Sequence, residues 1–381
     1  MIEETKEEIR KYLSSNQWKR YSGSKREVFY KKRHPSNVKQ FDFLRYSRRN
    51  IPYVPIEVAY RTKDFMIKSG FDEIKAETIF GKYPDDPLFF TSGVQNLTSW
   101  IHGEDNPYDH PIYIAQPVIR TNLRDNVGKG KVSSFVNLST LKHLSESSEH
   151  IGFIDLWIQH LSGLGFFVSD FNLELKEKDR NNEGSIWDKS EGVHLKFKYG
   201  GMELGSAGAI YPTINSVSTL LSDIGFGLER LIWAINKTDD FSDVLGPKPS
   251  SFSNNYTFAD SLRTLTLLGI GGLSREDKDR FRQFRIYLGG IEKDSLDMIA
   301  IRHYYSFWSR FLKPKRSFEE MSYFVFTELN RLRNQRLIKK IGFDKITRDI
   351  NEHITEDSDS FINYLTTKHG IKIDLIKNLS K

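Results

Sequence analysis

Alternation and helical spacing divide the chain into elements. Phe171, Leu173 and Leu175 are separated by Asn172, Glu174 and Lys176, and Val193, Leu195, Phe197 and Tyr199 by His194, Lys196 and Lys198. A period of two predicts half-buried strands. Ile151, Ile154, Ile158 and Leu161 recur at threes and fours, which predicts a helix with Ser147 or Ser148 as its cap and Gly165 as its stop. Pro55 to Ser69 reads as another helix, with proline at its start and Gly70 just past its end. A polar loop from roughly Glu177 to Glu191 holds Trp187. From about 110 to 212 strands dominate around one helix and show no βαβ rhythm. That predicts an α+β fold, an antiparallel sheet with helices packed on it. After Gly225 the spacing turns helical and stays so to the end.

The pattern predicts three regions. Residues 1–50 form a basic N-terminal extension, with an amphipathic helix followed by Lys31-Lys-Arg33 and Arg45-Tyr-Ser-Arg-Arg49. Residues 51–245 hold the sheet, and 253–381 form a helical domain. The Pro-, Gly- and Ser-rich segment Asp243 to Phe252 suits the linker between them. The basic runs read either as solvated surface or as an arm that contacts phosphate.

Composition narrows the chemistry. The 381 residues include 27 Phe and 17 Tyr, ample for a core, and exceed one typical domain. A net charge of +6 and a pI near 9.1 mildly favour an anionic partner. There is no cysteine, which excludes disulfides, thiol nucleophiles and thiolate zinc sites, and the ten His show no HxxxH spacing. No metal bound by Cys or His is expected. The N-terminus lacks an apolar signal core and nowhere is there a run of ~18 apolar residues, so a soluble, cytoplasmic chain without a membrane partner is expected.

Two segments carry candidate chemistry: Gln116-Pro-Val-Ile-Arg120-Thr-Asn122 and Asp223-Ile-Gly-Phe-Gly-Leu-Glu-Arg230-Leu-Ile-Trp233. Each sets one arginine at the edge of a strand or a strand-helix turn. A guanidinium offers a planar fork to two phosphate oxygens and stays charged. Gly225 and Gly227 remove side chains where a ligand would approach the backbone. Alone, the second segment also reads as a helix start with a surface Glu-Arg pair.

Taken in order, with Asn126-Val-Gly128 between them and Asp85 to Gly93 before them, the segments resemble the catalytic core of alanyl-tRNA synthetases. These are class II synthetases, and the likeness is to their archaeal branch. Arg120 and Arg230 fall on class motifs 2 and 3, and the likeness continues through Ala259-Asp-Ser-Leu-Arg-Thr264. The chain reads as a truncated, divergent paralogue without the family's zinc-bearing editing module.

The resemblance implies ATP and magnesium as cofactors. Arg120 would contact the α-phosphate and the amino-acid carboxylate, and Arg230 the γ-phosphate. Asn122 would sit beside Arg120 on the motif 2 strand, and Glu229 would partner magnesium or an arginine. Lys129 and Lys131 lie in a loop that can reach phosphate, or are merely solvated. Asp223 would pair with the substrate's ammonium, and Trp187 and Ser206 would line the amino-acid pocket.

Departures from the family pattern are specific. Gly208 stands where a valine bounds the alanine side chain, so the pocket is expected to admit something other than alanine. Gly192-Val-His-Leu-Lys196 puts an ammonium where the family has a carboxylate. A glutamate that reads the adenine amino group is missing, with Asn137 as a substitute acceptor. Leu273-Ser-Arg-Glu276 replaces a segment that reads a base pair in the acceptor stem. Arg333, Arg336 and Lys340 share one helical face and can track a phosphate backbone, or are a solvated face.

The expected function is activation of a small amino acid as its adenylate and transfer to an acceptor, tRNA first. Two alternatives stay open: a ligase that loads a carrier protein or a small metabolite, and a non-catalytic paralogue that binds RNA or protein.

Overall fold

Side chains that alternate in burial pair into one broad sheet in this computed structural model. Its strands are β1 (Lys19–Ser22), β2 (Glu27–Tyr30), β3 (Asp72–Ile74), β4 (Ile112–Ile119), β5 (Ser134–Leu144), β6 (Phe171–Glu177), β7 (Glu191–Tyr199), β8 (Met202–Tyr211) and β11 (Leu220–Gly227). A separate two-stranded pair, β9 (Thr213–Ile214) and β10 (Val217–Ser218), precedes the last. The nine strands run in the order β1-β2-β6-β7-β8-β11-β5-β4-β3. All pair antiparallel except β3 and β4, which are parallel. The structure describes every residue except 23–25, 85, 105–109, 179–184, 215–216, 247–255, 292–296 and 342–381, and omits the side chains of 213–218 and 337–341.

The helices are α1 (Ile2–Ser15), α2 (Pro55–Lys68), α3 (Thr98–Ile101), α4 (Ser147–Gly163), α5 (Ile186–Lys189), α6 (Leu228–Asn236), α7 (Tyr256–Ile270), α8 (Lys278–Ile291), α9 (Met298–Trp308) and α10 (Phe318–Ile341). An antiparallel sheet flanked by helices, then a helical region, is the architecture the spacing predicts. Among the described residues no helix is long and apolar enough to cross a membrane.

Three local expectations change. The cap of α4 is Glu146, not Ser147 or Ser148. Its carboxylate and that of Glu149 satisfy each other's backbone N–H groups, and both serines fall inside the first turn. The first fifty residues do not stand apart, because β1 and β2 extend the sheet through β6 and Ile9 and Leu13 of α1 are buried. Parts of their basic runs are paired, Arg33 with Asp42 and Arg48 with Asp239. The polar loop carries α5, and of the expected linker only Asp243 to Gly246 lies within the described residues.

Strand β11 lies between β8 and β5 and shows different chemistry on its two faces. On one, Phe226 stacks on Trp157 of α4 with ring centroids 4.6 Å apart. Trp157 donates to Thr140 Oγ1 at 2.8 Å, and the His150 ring bonds Ser222 Oγ at 2.8 Å. Burying such an aromatic pair stabilises the fold by several kcal/mol. The other face presents Asp223, Gly225 and Gly227. There a 3-10 turn over Gly93–Leu97 lies against β5, with the Gly93 N–H donating to Asn137 Oδ1 at 3.0 Å.

Candidate functional site

A cleft opens on that second face where the turn after β4, the start of β5, β8, β11 and α6 meet. Its empty volume is about 600 Å³, part of it open to solvent. Arg120, Asn137, Ser206, Gly225, Gly227, Glu229 and Arg230 line it together. Two segments about a hundred residues apart thus converge because antiparallel pairing seats β4 beside β5 and β5 beside β11. Gly225 is required at its place: a Cβ there would meet Asn137 Nδ2 at 2.8 Å.

Both arginines are held by carbonyl oxygens. Arg120 donates from Nε and Nη2 to Thr91 O at 3.0 and 2.8 Å, and its guanidinium lies 4.9 Å from the Phe135 ring. Arg230 donates from Nε to Gly130 O at 2.8 Å and from Nη1 to Glu203 O at 2.9 Å. Among the described residues neither forms an ion pair with a carboxylate. Burial and the nearby Arg230 cation push the Arg120 guanidinium down to about 10, and burial lowers Arg230. Two cations that disfavour each other in a half-dry cleft are suited to an anionic ligand.

Glu229 is committed elsewhere. It is 1% exposed, accepts the Val136 N–H at 3.2 Å and is ion-paired with Arg263 of α7. Its expected arginine partner therefore exists, but on the helical side. The expected role towards magnesium loses its free oxygen. Among the described residues no group of three His, Asp or Glu could cage a metal. The same α7 ties the start of β5: Asp260 Oδ1 accepts the Ser133 N–H at 2.7 Å, and Thr264 bonds Ser134 at 2.9 Å.

The remaining expected residues divide. Asn122 is not on a strand: β4 ends at Ile119, and Asn122 is exposed in the 3-10 turn Thr121–Asn126, outside the cleft. Asn137 lines the cleft, but its oxygen already accepts from Gly93 N–H and Ser139 Oγ, which removes it as an adenine acceptor. Lys129 is exposed in the loop beside the cleft. Trp187 is buried, with its N–H given to Thr98 Oγ1 at 3.0 Å. In the helical region Arg333 and Arg336 lie on α10, Leu273 is buried, and Arg275 is ion-paired with Glu328. The side chain of Lys340 lies outside the described residues.

Asp223 shares its face with Gly225, two residues along β11. No hydrogen bond reaches its carboxylate among the described residues, and burial raises it to about 7 against the pull of Arg120. Gly208 lies directly opposite it on β8, with His194 of β7 opposite Gly208 in turn. The expected space at Gly208 is not empty. A Cβ there would stand 3.2 Å from Asp223 O and 3.2 Å from the His194 ring. In the sequence His194 stands only as a polar position in an alternating strand. Counting back from the Gly200-Gly201 turn pairs it with Ala207; a bulge beside Phe197 and Lys198 slides it to Gly208.

No family model matches the chain. It is 26% identical over 196 residues to the alanine–tRNA ligase of Pyrococcus furiosus, covering 45% of this chain and 21% of that one. Against the alanine–tRNA ligase of Methanococcus aeolicus the identity is 25% over 226 residues, 54% of this chain and 24% of the relative. Against that of Saccharolobus islandicus it is 22% over 269 residues, 66% and 29%. The chain thus spans less than a third of the length of these relatives. Among solved structures, Entamoeba histolytica asparaginyl-tRNA synthetase aligns with a TM-score of 0.32 at 12% identity, covering 50% of this chain and 64% of that one. The chain is similar, at low identity and over part of each, to archaeal alanine–tRNA ligases, as its motifs suggest.

Proposed function

We propose that the chain activates a small amino acid with ATP, as an aminoacyl-adenylate-forming ligase, and passes the acyl group to tRNA. The observation that carries this reading is the pair of half-buried arginines without an ion pair among the described residues, Arg120 and Arg230, facing one glycine-floored cleft. In such a step a carboxylate oxygen attacks the α-phosphorus, the bond to the bridging oxygen breaks, and pyrophosphate leaves. The enzyme needs no covalent nucleophile; it supplies position and positive charge where phosphate charge develops. Arg120 would hold the α-phosphate and the carboxylate, Arg230 the far end of the triphosphate, and Asp223 the ammonium. With Glu229 committed to Arg263, magnesium would accompany the nucleotide through its phosphates, the usual mode for that ion.

A second reading concerns the acceptor alone. At Leu273 to Glu276 one side chain is buried and another ion-paired within the fold, which leaves little to read a base pair. That favours a carrier protein or small metabolite as acceptor. The test is amino-acid-dependent ATP–pyrophosphate exchange across the common amino acids, followed by transfer assays with tRNA and without it. Exchange with at least one amino acid is expected. A folded chain that exchanges with none is a binding protein, and the ligase reading falls.

A further inference from the structure

His194 and Asp223 flank a residue with no side chain. The two pair in register with Gly208 from opposite sides, so all three face the cleft side of the sheet. The imidazole leans over the glycine, its Cε1 3.2 Å and Nδ1 3.4 Å from the place a Cβ would occupy. Among the described residues neither ring nitrogen has a hydrogen-bond partner, and Nε2 is fully buried. The ring is kept neutral: burial and Lys178, Lys196 and Lys176 push it down to about 4, against the opposing pull of Glu203. An enclosed ring nitrogen without a partner destabilises the fold unless a ligand supplies one.

We propose that His194 sets the substrate's side chain, selecting a small amino acid that carries a hydroxyl over one that carries only a methyl. This rests on the amino-acid activation proposed above. A neutral imidazole offers one donor and one acceptor, and a hydroxyl matches either. A carboxylate side chain could take only the ring's donor, whereas a hydroxyl can meet whichever nitrogen faces it. A large side chain is excluded, because the ring already fills the place above Gly208. The loss of a bulky residue at Gly208 is thus offset by an imidazole from the next strand, and the pocket is relined rather than enlarged.

The test measures exchange and, separately, calorimetric binding for serine, threonine, alanine, glycine and aspartate. Serine or threonine should exceed alanine by roughly 10- to 100-fold in kcat/KM, the worth of one buried hydrogen bond that a methyl leaves unmade. His194→Ala should remove that preference through KM, with kcat for alanine little changed, and His194→Gln should restore part of it. Alanine or aspartate preferred by the parent chain overturns the inference, as does an equal loss for all substrates in His194→Ala. Binding separates the two readings. A chain without exchange that still binds serine over alanine through His194 sinks the ligase reading alone. Exchange, or binding, without a hydroxyl preference sinks the inference about His194.

Discussion

Arg263, which is buried, and the half-buried pair Arg120 and Arg230 lie within reach of α6, yet their surroundings are opposite. Arg263 is 2% exposed, ion-paired with Glu229, and packed 4.8 and 4.6 Å from the rings of Phe307 and Trp308. Arg120 and Arg230 rest on carbonyl oxygens and face open volume. The first charge is balanced by an ion pair inside the fold; the other two have no ion pair among the described residues. Adjacent residues, Glu229 and Arg230, serve the two different ends.

Removing each arginine should separate these roles. The largest effect is expected for Arg263→Ala, which leaves Glu229 ionised and unpaired in the interior and should cost about 3–5 kcal/mol of stability. Urea denaturation would read it; a loss below ~1 kcal/mol would show that water reaches Glu229. Arg230→Ala should cost ~1 kcal/mol of stability or less, because the two carbonyls it releases border a wet cleft. The same change should reduce pyrophosphate exchange by the equivalent of ~2.7–4 kcal/mol. Comparable losses of stability in both variants would erase the contrast.

A third effect concerns pH. Asp223 is raised to about 7 in the fold from an ordinary value of 3.8, so the native state holds its proton more tightly than the unfolded chain. Stability from this group is therefore full below pH ~4, falls as pH rises through ~7 and is flat above. The slope is at most about 1.4 kcal/mol per pH unit. Asp223→Asn should remove that slope between pH 4 and 7. An unchanged profile would place the carboxylate in water. His150, His160 and His194, all lowered by burial, act in the opposite sense on the acid side, so the difference between the two chains is the quantity to read.

How much of this could be read from the chain alone follows from how local each feature is. The strands around Phe171 and Val193 were legible because one buried face imposes a period of two on neighbouring residues. Arg120, Arg230 and the two glycines were legible because short segments contain them whole. Asn122 does not continue the strand because the chain turns into a 3-10 helix after Arg120, with the Leu123 N–H donating to Arg120 O, which no periodicity records. The cap at Glu146 was missed because a carboxylate there competes with two adjacent serines that are ordinarily better suited. The Glu229–Arg263 pair joins residues 34 positions apart on different helices. The meeting of His194 with Gly208 depends on a single bulged residue that shifts the hairpin count by one.

The bonds from α7 to the sheet also bear on how this protein can be cut. A fragment that stopped near Gly246 would contain the whole cleft, yet it would lose the cation beside Glu229, the carboxylate that accepts the Ser133 N–H, and the hydroxyl that meets Ser134. One bare charge and two loosened residues at the start of β5 would lie directly behind the cleft floor. Such a piece should be insoluble or molten when expressed by itself. Co-expressed with residues 247–381 as a second polypeptide, it should regain order, because the missing groups arrive on one helix and need no peptide bond to reach their places.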